Sequence, residues 1–267
     1  MPRVPRIPIW TVRAEMPVVS LGSRKGGVGK TTLTASLAVA LHRLGWRVLA
    51  IDFDRQNALR LHFEQTDDEL PGLADDVEHR RDWTELVVET PSGVYLLPFG
   101  TISAGRCLRV QAHIEENPGW IRRQLEPFCE YQDVVVLTDM PPGPSPYNGE
   151  IDPVADLHVT VLLSDAICLA LLPRLQNGDH QLDAGGRLRR NGYVLNQIQP
   201  GRQLSRNVLS LSRDMLGEEL YGVVHQDEAV AEAVACQLTV LDYAPDSVAA
   251  HDIASLAERV HNSLIAA

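Results

Sequence analysis

Apolar residues along this chain follow two rhythms. Short, nearly continuous apolar runs alternate with longer stretches whose apolar positions recur every three or four residues. Runs at 17–22, 47–52, 94–98, 133–139, 157–163, 193–197 and 220–224 predict strands. Their continuity, rather than an apolar-polar alternation, predicts strands covered on both faces. The clearest helical stretch is 32–44, with Leu33, Leu37, Ala40, Leu41 and Leu44 at helical spacing and Gly45 to end it. Another helix is expected from about 246 to 264. Strand and helix alternating in this way predict an α/β fold. It is a doubly wound, mostly parallel twisted sheet of about seven to eight strands, with helices on both faces. Residues 1–15 read as a flexible arm and 16–264 as a single domain. Two stretches break the rhythm. Residues 67–78 hold six acids and no base, which reads as a solvated loop or helix face. Residues 101–118 are mixed polar and read as irregular surface.

Composition narrows the classes. A chain of 267 residues with 45% hydrophobic content can bury a full globular core. The net charge of −11 argues against a protein whose main task is gripping DNA, which needs clustered Lys and Arg. Cys107, Cys129, Cys168 and Cys236 lie far apart with no metal-ligand spacing, and read as buried free thiols of a reduced, cytoplasmic protein. The basic, proline-broken N-terminus lacks the apolar stretch of a signal peptide. The longest apolar run, 159–172, is interrupted by Ser164 and Asp165.

The chemistry starts between the first strand and the first helix. Arg24-Lys25-Gly26-Gly27-Val28-Gly29-Lys30-Thr31-Thr32 is a glycine-rich loop whose backbone N–H groups can wrap phosphate oxygens. A helix N-terminus behind the loop favours the same anion. Lys30 would reach the β- and γ-phosphates, and the Thr31 hydroxyl would bind Mg²⁺. The usual glycine six places before the lysine is replaced by Arg24, and a second lysine, Lys25, precedes the glycine pair. Ile51-Asp52-Phe53-Asp54 closes the second strand, where an α/β sheet places its ligands. Asp54 could orient a water for attack on the γ-phosphate. Asp52 either holds Mg²⁺ through water or caps the segment that starts near Gln56. The fourth strand ends in Asp139, as a Walker B strand presents its metal carboxylate, and a Met140-Pro141-Pro142-Gly143 turn follows. Asn196 ends the sixth strand, where its amide could read a purine edge or stabilise a turn.

With Lys25, Asp54, Asp139 and Asn196 in this order, residues 16–264 resemble the ParA/MinD family of deviant Walker A ATPases, P-loop NTPases of the SIMIBI type. The resemblance implies ATP and Mg²⁺ as cofactors and an ATP-dependent, face-to-face homodimer with slow or partner-dependent hydrolysis. It also implies that Lys25 reaches the partner's phosphates. Gly26, Gly27, Val28, Gly29, Lys30, Thr31 and Thr32 then match the nucleotide loop. Thr31, Asp52 and Asp139 match the metal side, Lys25, Lys30 and Asp54 the catalytic positions, and Asn196 the adenine contact. Within that family, 56–63, 96–100 and 224–232 resemble the BcsQ (YhjQ) ATPases of bacterial cellulose secretion. That narrower resemblance implies a cytoplasmic factor at an inner-membrane cellulose synthase, with a short BcsR-type protein and a BcsE-type regulator as partners. His225 stands where ParA/MinD proteins usually carry proline. It could contact the adenine, or be a strand-end residue satisfied by backbone. The other jobs of the family are DNA partition and membrane positioning. The tail, 261–267, lacks the basic amphipathic face of a membrane anchor. Arg187, Arg189 and Arg190 could dock an acidic partner, or be a solvated face. No cysteine follows Asp139 closely to hold an iron–sulfur cluster.

Overall fold

The computed structural model describes residues 16–67, 69–79, 81–100, 103–131, 133–176 and 190–266. The arm at 1–15, and Arg187 and Arg189, lie outside the described residues. Eight strands form one sheet: β1 (Val18–Gly22), β2 (Arg47–Asp52), β3 (Val88–Glu89), β4 (Tyr95–Leu97), β5 (Val134–Asp139), β6 (Leu157–Leu163), β7 (Arg190–Ile198) and β8 (Leu220–His225). Their order is β3-β4-β2-β5-β1-β6-β7-β8. All neighbours are parallel except β3, which runs antiparallel to β4. β1 lies between β5 and β6, so successive crossovers depart to opposite sides of it. The crevice at its carboxyl end is the topological switch point, where such sheets bind ligands.

Both faces of the central strands are apolar. Val19 and Leu21 of β1 face one cluster, with Val135 and Leu137 of β5. Val18 and Val136 face the other. The first cluster is sealed by the helix Lys30–Arg43, buried almost all round, and by the last helix, Val248–Ile265. Being sandwiched between sheet and helix explains why Leu33 to Leu41 carry no polar stripe. Gly45, at φ 98°, takes the chain out of that helix in a left-handed conformation that other residues resist. The second face holds an aromatic group in which Phe53 packs on Trp83 and Tyr147, and Trp83 meets Trp120 edge to face. A third cluster lies under the helices Ala166–Gln176 and Gln203–Leu216, against β6 to β8.

Several expectations need correction. β3 was not anticipated, because two residues are too short a run to show a period. Residues 104–116 form a 13-residue helix, capped by the Ser103 hydroxyl, instead of an irregular surface. Its core contact is narrow, with Cys107, Val110 and Ile114 buried, so the polar majority masked the spacing. Part of the acidic stretch is also helical, Leu73–His79, and Asp76 is buried rather than solvated. Cys107 and Cys168 are buried thiols as expected, but Cys129 and Cys236 are exposed.

Candidate functional site

β1 ends at Gly22, and the glycine-rich loop turns back into the helix that starts at Lys30. Two glycines make the turn, Gly27 at φ 75° and Gly29 at φ 82°. Gly29 is also required for space, because a Cβ there would stand 2.5 Å from the Asn196 amide nitrogen. That amide donates to the Val28 carbonyl at 2.8 Å, pinning the loop to the end of β7. The turn after β5 is tethered too: the Gly143 N–H donates to the Ser23 carbonyl at 2.9 Å. A turn bonded to the phosphate loop in this way is placed to respond to what the loop binds.

Beneath the loop lies a buried charge cluster. Asp52 and Asp139 face each other as register partners of β2 and β5, and both are fully buried. Lys30 forms an ion pair with Asp139. The Thr31 hydroxyl donates to the same carboxylate at 2.7 Å, and Thr34 donates at 3.2 Å. Burial pushes both carboxyls above their ordinary range. For Asp52 the neighbouring Asp139 adds to the rise, and for Asp139 the Lys30 ammonium opposes it. Two acids therefore share one buried cation. Hard oxygen donors, an unbalanced negative charge and a threonine hydroxyl fit Mg²⁺. Among the described residues no three His, Cys, Asp or Glu side chains converge to cage an ion. The arrangement suits a metal that keeps waters and phosphate oxygens in its shell.

Asp52 is not free to approach a metal directly. Its two oxygens accept the Asp54 N–H at 2.8 Å and the Leu59 N–H at 3.1 Å, shaping the loop after β2. Asp54 lies beyond the strand end, half-exposed, and accepts the Gln56 N–H at 3.0 Å. The two acids do not continue one strand face, because β2 stops at Asp52. His225 is held by a carboxylate of the last helix rather than by backbone. Its N–H and its Nδ1 both meet Asp252 of the last helix, at 2.9 and 2.8 Å.

Lys25 stays outside the buried cluster. Its ammonium pairs with Asp165, each side chain about one-third exposed, at the N-terminus of the helix that follows β6. Burial tends to raise the Asp165 carboxyl, but hydrogen bonds from Lys25 and the Cys168 N–H outweigh it and hold it below its usual value. Asp165 and Thr34 escaped the sequence reading. Asp165 had a signal there, as an acid interrupting an apolar run just before a helix. Thr34 had none, since a threonine inside a helix says nothing of its long-range partner.

A family model for the cellulose biosynthesis protein BcsQ matches residues 16–260. The chain belongs to the BcsQ family. It is 30% identical to the BcsQ of Salmonella typhi over 243 residues, covering 91% of this chain and 93% of that protein. It is 29% identical to the chromosome-partitioning ATPase Soj of Thermus thermophilus, covering 93% and 97%. The cell division ATPase MinD of Pyrococcus furiosus shares the fold, with a TM-score of 0.72 at 23% identity over 93% of this chain and 99% of that one. The chain is a nucleotide-binding ATPase of the ParA/MinD type, as its deviant phosphate loop implied. No helix among the described residues is long and apolar enough to cross a membrane.

Proposed function

We propose that this BcsQ-family chain is an ATP-driven dimeric switch that assembles, localises or regulates a cellulose synthase secretion complex at the inner membrane. The observation that carries the switch is the division of labour between two lysines. Lys30 is buried against Asp139, where it serves its own nucleotide. Lys25 lies outside, one-third exposed and paired with Asp165, so its cation remains available to a second protomer. A cation delivered across an interface stabilises the charge that develops on a transferring phosphoryl group.

The residues divide as follows. Gly26 to Gly29 and the first turn of the helix present N–H donors to the phosphates, and Lys30 neutralises their charge. Thr31 and Asp139 would hold the metal, and Asp52 keeps the β2 loop in place behind them. Bound Mg²⁺ would offset phosphate charge at the bond that breaks. Asp54 is the group that orients the attacking water. Asn196 fixes the loop and, with His225, borders the purine. Hydrolysis would return Lys25 to Asp165 and separate the protomers.

The cellulose role rests on family membership, and the partners it suggests are a short BcsR-type protein, a BcsE-type regulator and the synthase. Gel filtration with light scattering tests the switch. Wild type is expected to dimerise with ATP and not with ADP, and Lys25→Ala to stay monomeric or to dimerise without hydrolysing. A wild-type monomer under both nucleotides would overturn the reading. Affinity capture from the native cytoplasm is expected to recover cellulose-synthase components; recovery of chromosome-partition proteins would overturn the cellulose role alone.

A further inference from the structure

The carboxyl end of β8 carries an ordered pair that the phosphate cluster does not use. The backbone N–H and the ring Nδ1 of His225 both lie on one oxygen of Asp252, at 2.9 and 2.8 Å. An ionised carboxylate only accepts, so Nδ1 carries a proton. In the neutral ring Nε2 is then a bare acceptor. Two contacts on one oxygen fix the direction of the ring as well as its tautomer. The loop after β8 is clipped to the same helix, because Asp227 accepts the Ala249 N–H at 3.1 Å. The ring stays one-third exposed, so a ligand can reach it.

The sheet sets this pair where the base of a nucleotide falls. Asp52 and Asp139 end β2 and β5, and Asp54 follows, so the metal and the terminal phosphate belong to that side of β1. The base of the same nucleotide then lies toward β6–β8. Asn196, near the end of β7, already touches the phosphate loop through Val28. His225 is the register partner of Ile198, just beyond Asn196 on that strand. β8 stands three strand spacings, about 14 Å, from β1, within reach of the far end of an extended nucleoside triphosphate. The strand ends are irregular at this point. The β7–β8 register shifts between Leu195 and Ile198, and Gln197, inside the shift, has φ 56°. Bulges and strained backbone gather at ligand sites. The Gln197 amide nitrogen comes within 3.7 Å of where a Cβ on Gly29 would stand, so this bulge closes on the phosphate loop.

Purines differ at the position that such an acceptor reads. Adenine carries a 6-amino group, which donates, and guanine carries O6, which accepts. A fixed acceptor completes a hydrogen bond with the first and opposes a lone pair of the second. An unheld histidine would not discriminate, because its other tautomer donates from Nε2 and suits O6. We infer, resting on the nucleotide-switch reading above, that Asp252 is a positioning residue for base selection: it holds His225 with the proton on Nδ1, and Nε2 selects adenine over guanine by accepting from the 6-amino group. Water competes at a ring that is partly exposed. The pair therefore contributes a preference of about tenfold, below that of a sealed site.

Titration of the full-length chain with non-hydrolysable ATP and GTP analogues in Mg²⁺ tests this, through the ratio of the two dissociation constants. Wild type is expected to favour the ATP analogue by about tenfold or more. Asp252→Ala frees the ring to take either tautomer. His225→Gln puts in place of Nε2 an amide that can turn its oxygen or its nitrogen to the base. Each should bring the ratio within about threefold, chiefly by a gain in affinity for the GTP analogue. Damage to a structural clip between β8 and the last helix would lower both affinities and yield no such gain. Nitrogen-15 NMR of the histidines gives a second readout: His225 is expected to carry its proton on Nδ1 in wild type and to mix tautomers in Asp252→Ala. A ratio that both variants leave unchanged, a joint loss of both affinities, or a wild-type proton on Nε2 would overturn the inference and leave the ATP switch standing. A wild type that binds neither analogue would overturn both.

Discussion

At the scale of single residues, the site depends on small margins of space. Gly29 combines a left-handed backbone with contact against the Asn196 amide. A Gly29→Ala chain must strain φ and displace the amide that pins Val28. The backbone strain alone is of order 1–3 kcal/mol. We expect that loss of stability in urea melts and at least a tenfold weaker ATP affinity by titration calorimetry. Adding Asn196→Ala should return the part of the stability loss that comes from the contact and leave the part that comes from φ. Fully additive losses would show that the two residues do not meet. Glycines, lysines and acids at 24–32, 52–54 and 139 could be read from the sequence because their roles belong to short contiguous segments. The partners of Lys25 and His225 could not be read, because Asp165 and Asp252 are 140 and 27 residues away and are brought close by β6 and the last helix.

At the scale of elements, the helix Leu73–His79 carries an electrostatic cost. Asp76 is buried, and burial pushes its carboxyl up to about 6. The folded chain thus keeps a proton that the unfolded chain releases from about 3.8, and stability falls as pH rises through that window. The cost above pH 6 is on the order of 3 kcal/mol. Asp76→Asn should stabilise the chain by that order at pH 7 and lose its advantage near pH 4. An unchanged urea midpoint at pH 7 would contradict the burial of this charge. The same helix, and Ala104–Glu116 with it, shows why elements on the second face were hard to read. Each touches the core through one narrow stripe, so polar residues dominate its composition. The helix Lys30–Arg43 was plain because sheet and last helix cover it on both sides.

At the scale of the whole molecule, the crevice between β5, β1 and β6 gathers two buried acids around a single lysine. A ligand that brings a cation and binds only the folded state should stabilise the entire domain. At one hundred times its dissociation constant, MgATP is expected to add about 2.7 kcal/mol. For a domain of this size that is a rise in Tm of about 5–10 °C. Chelating Mg²⁺ should remove most of the rise in a thermal-shift assay, and an equal rise with EDTA would take the metal out of this site. The order of strands, the turn after Asp139 and the parking of Lys25 on Asp165 are all properties at this scale. By itself the sequence determined the fold class, the phosphate loop, the ends of β2 and β5 and the resemblance to ParA/MinD ATPases. Those follow from local periodicity and from residues adjacent in the chain. Only the tertiary structure decided which carboxylate meets which lysine and which amide clamps the loop. Those contacts join segments far apart in sequence, and sheet pairing and burial, which no local pattern encodes, select them.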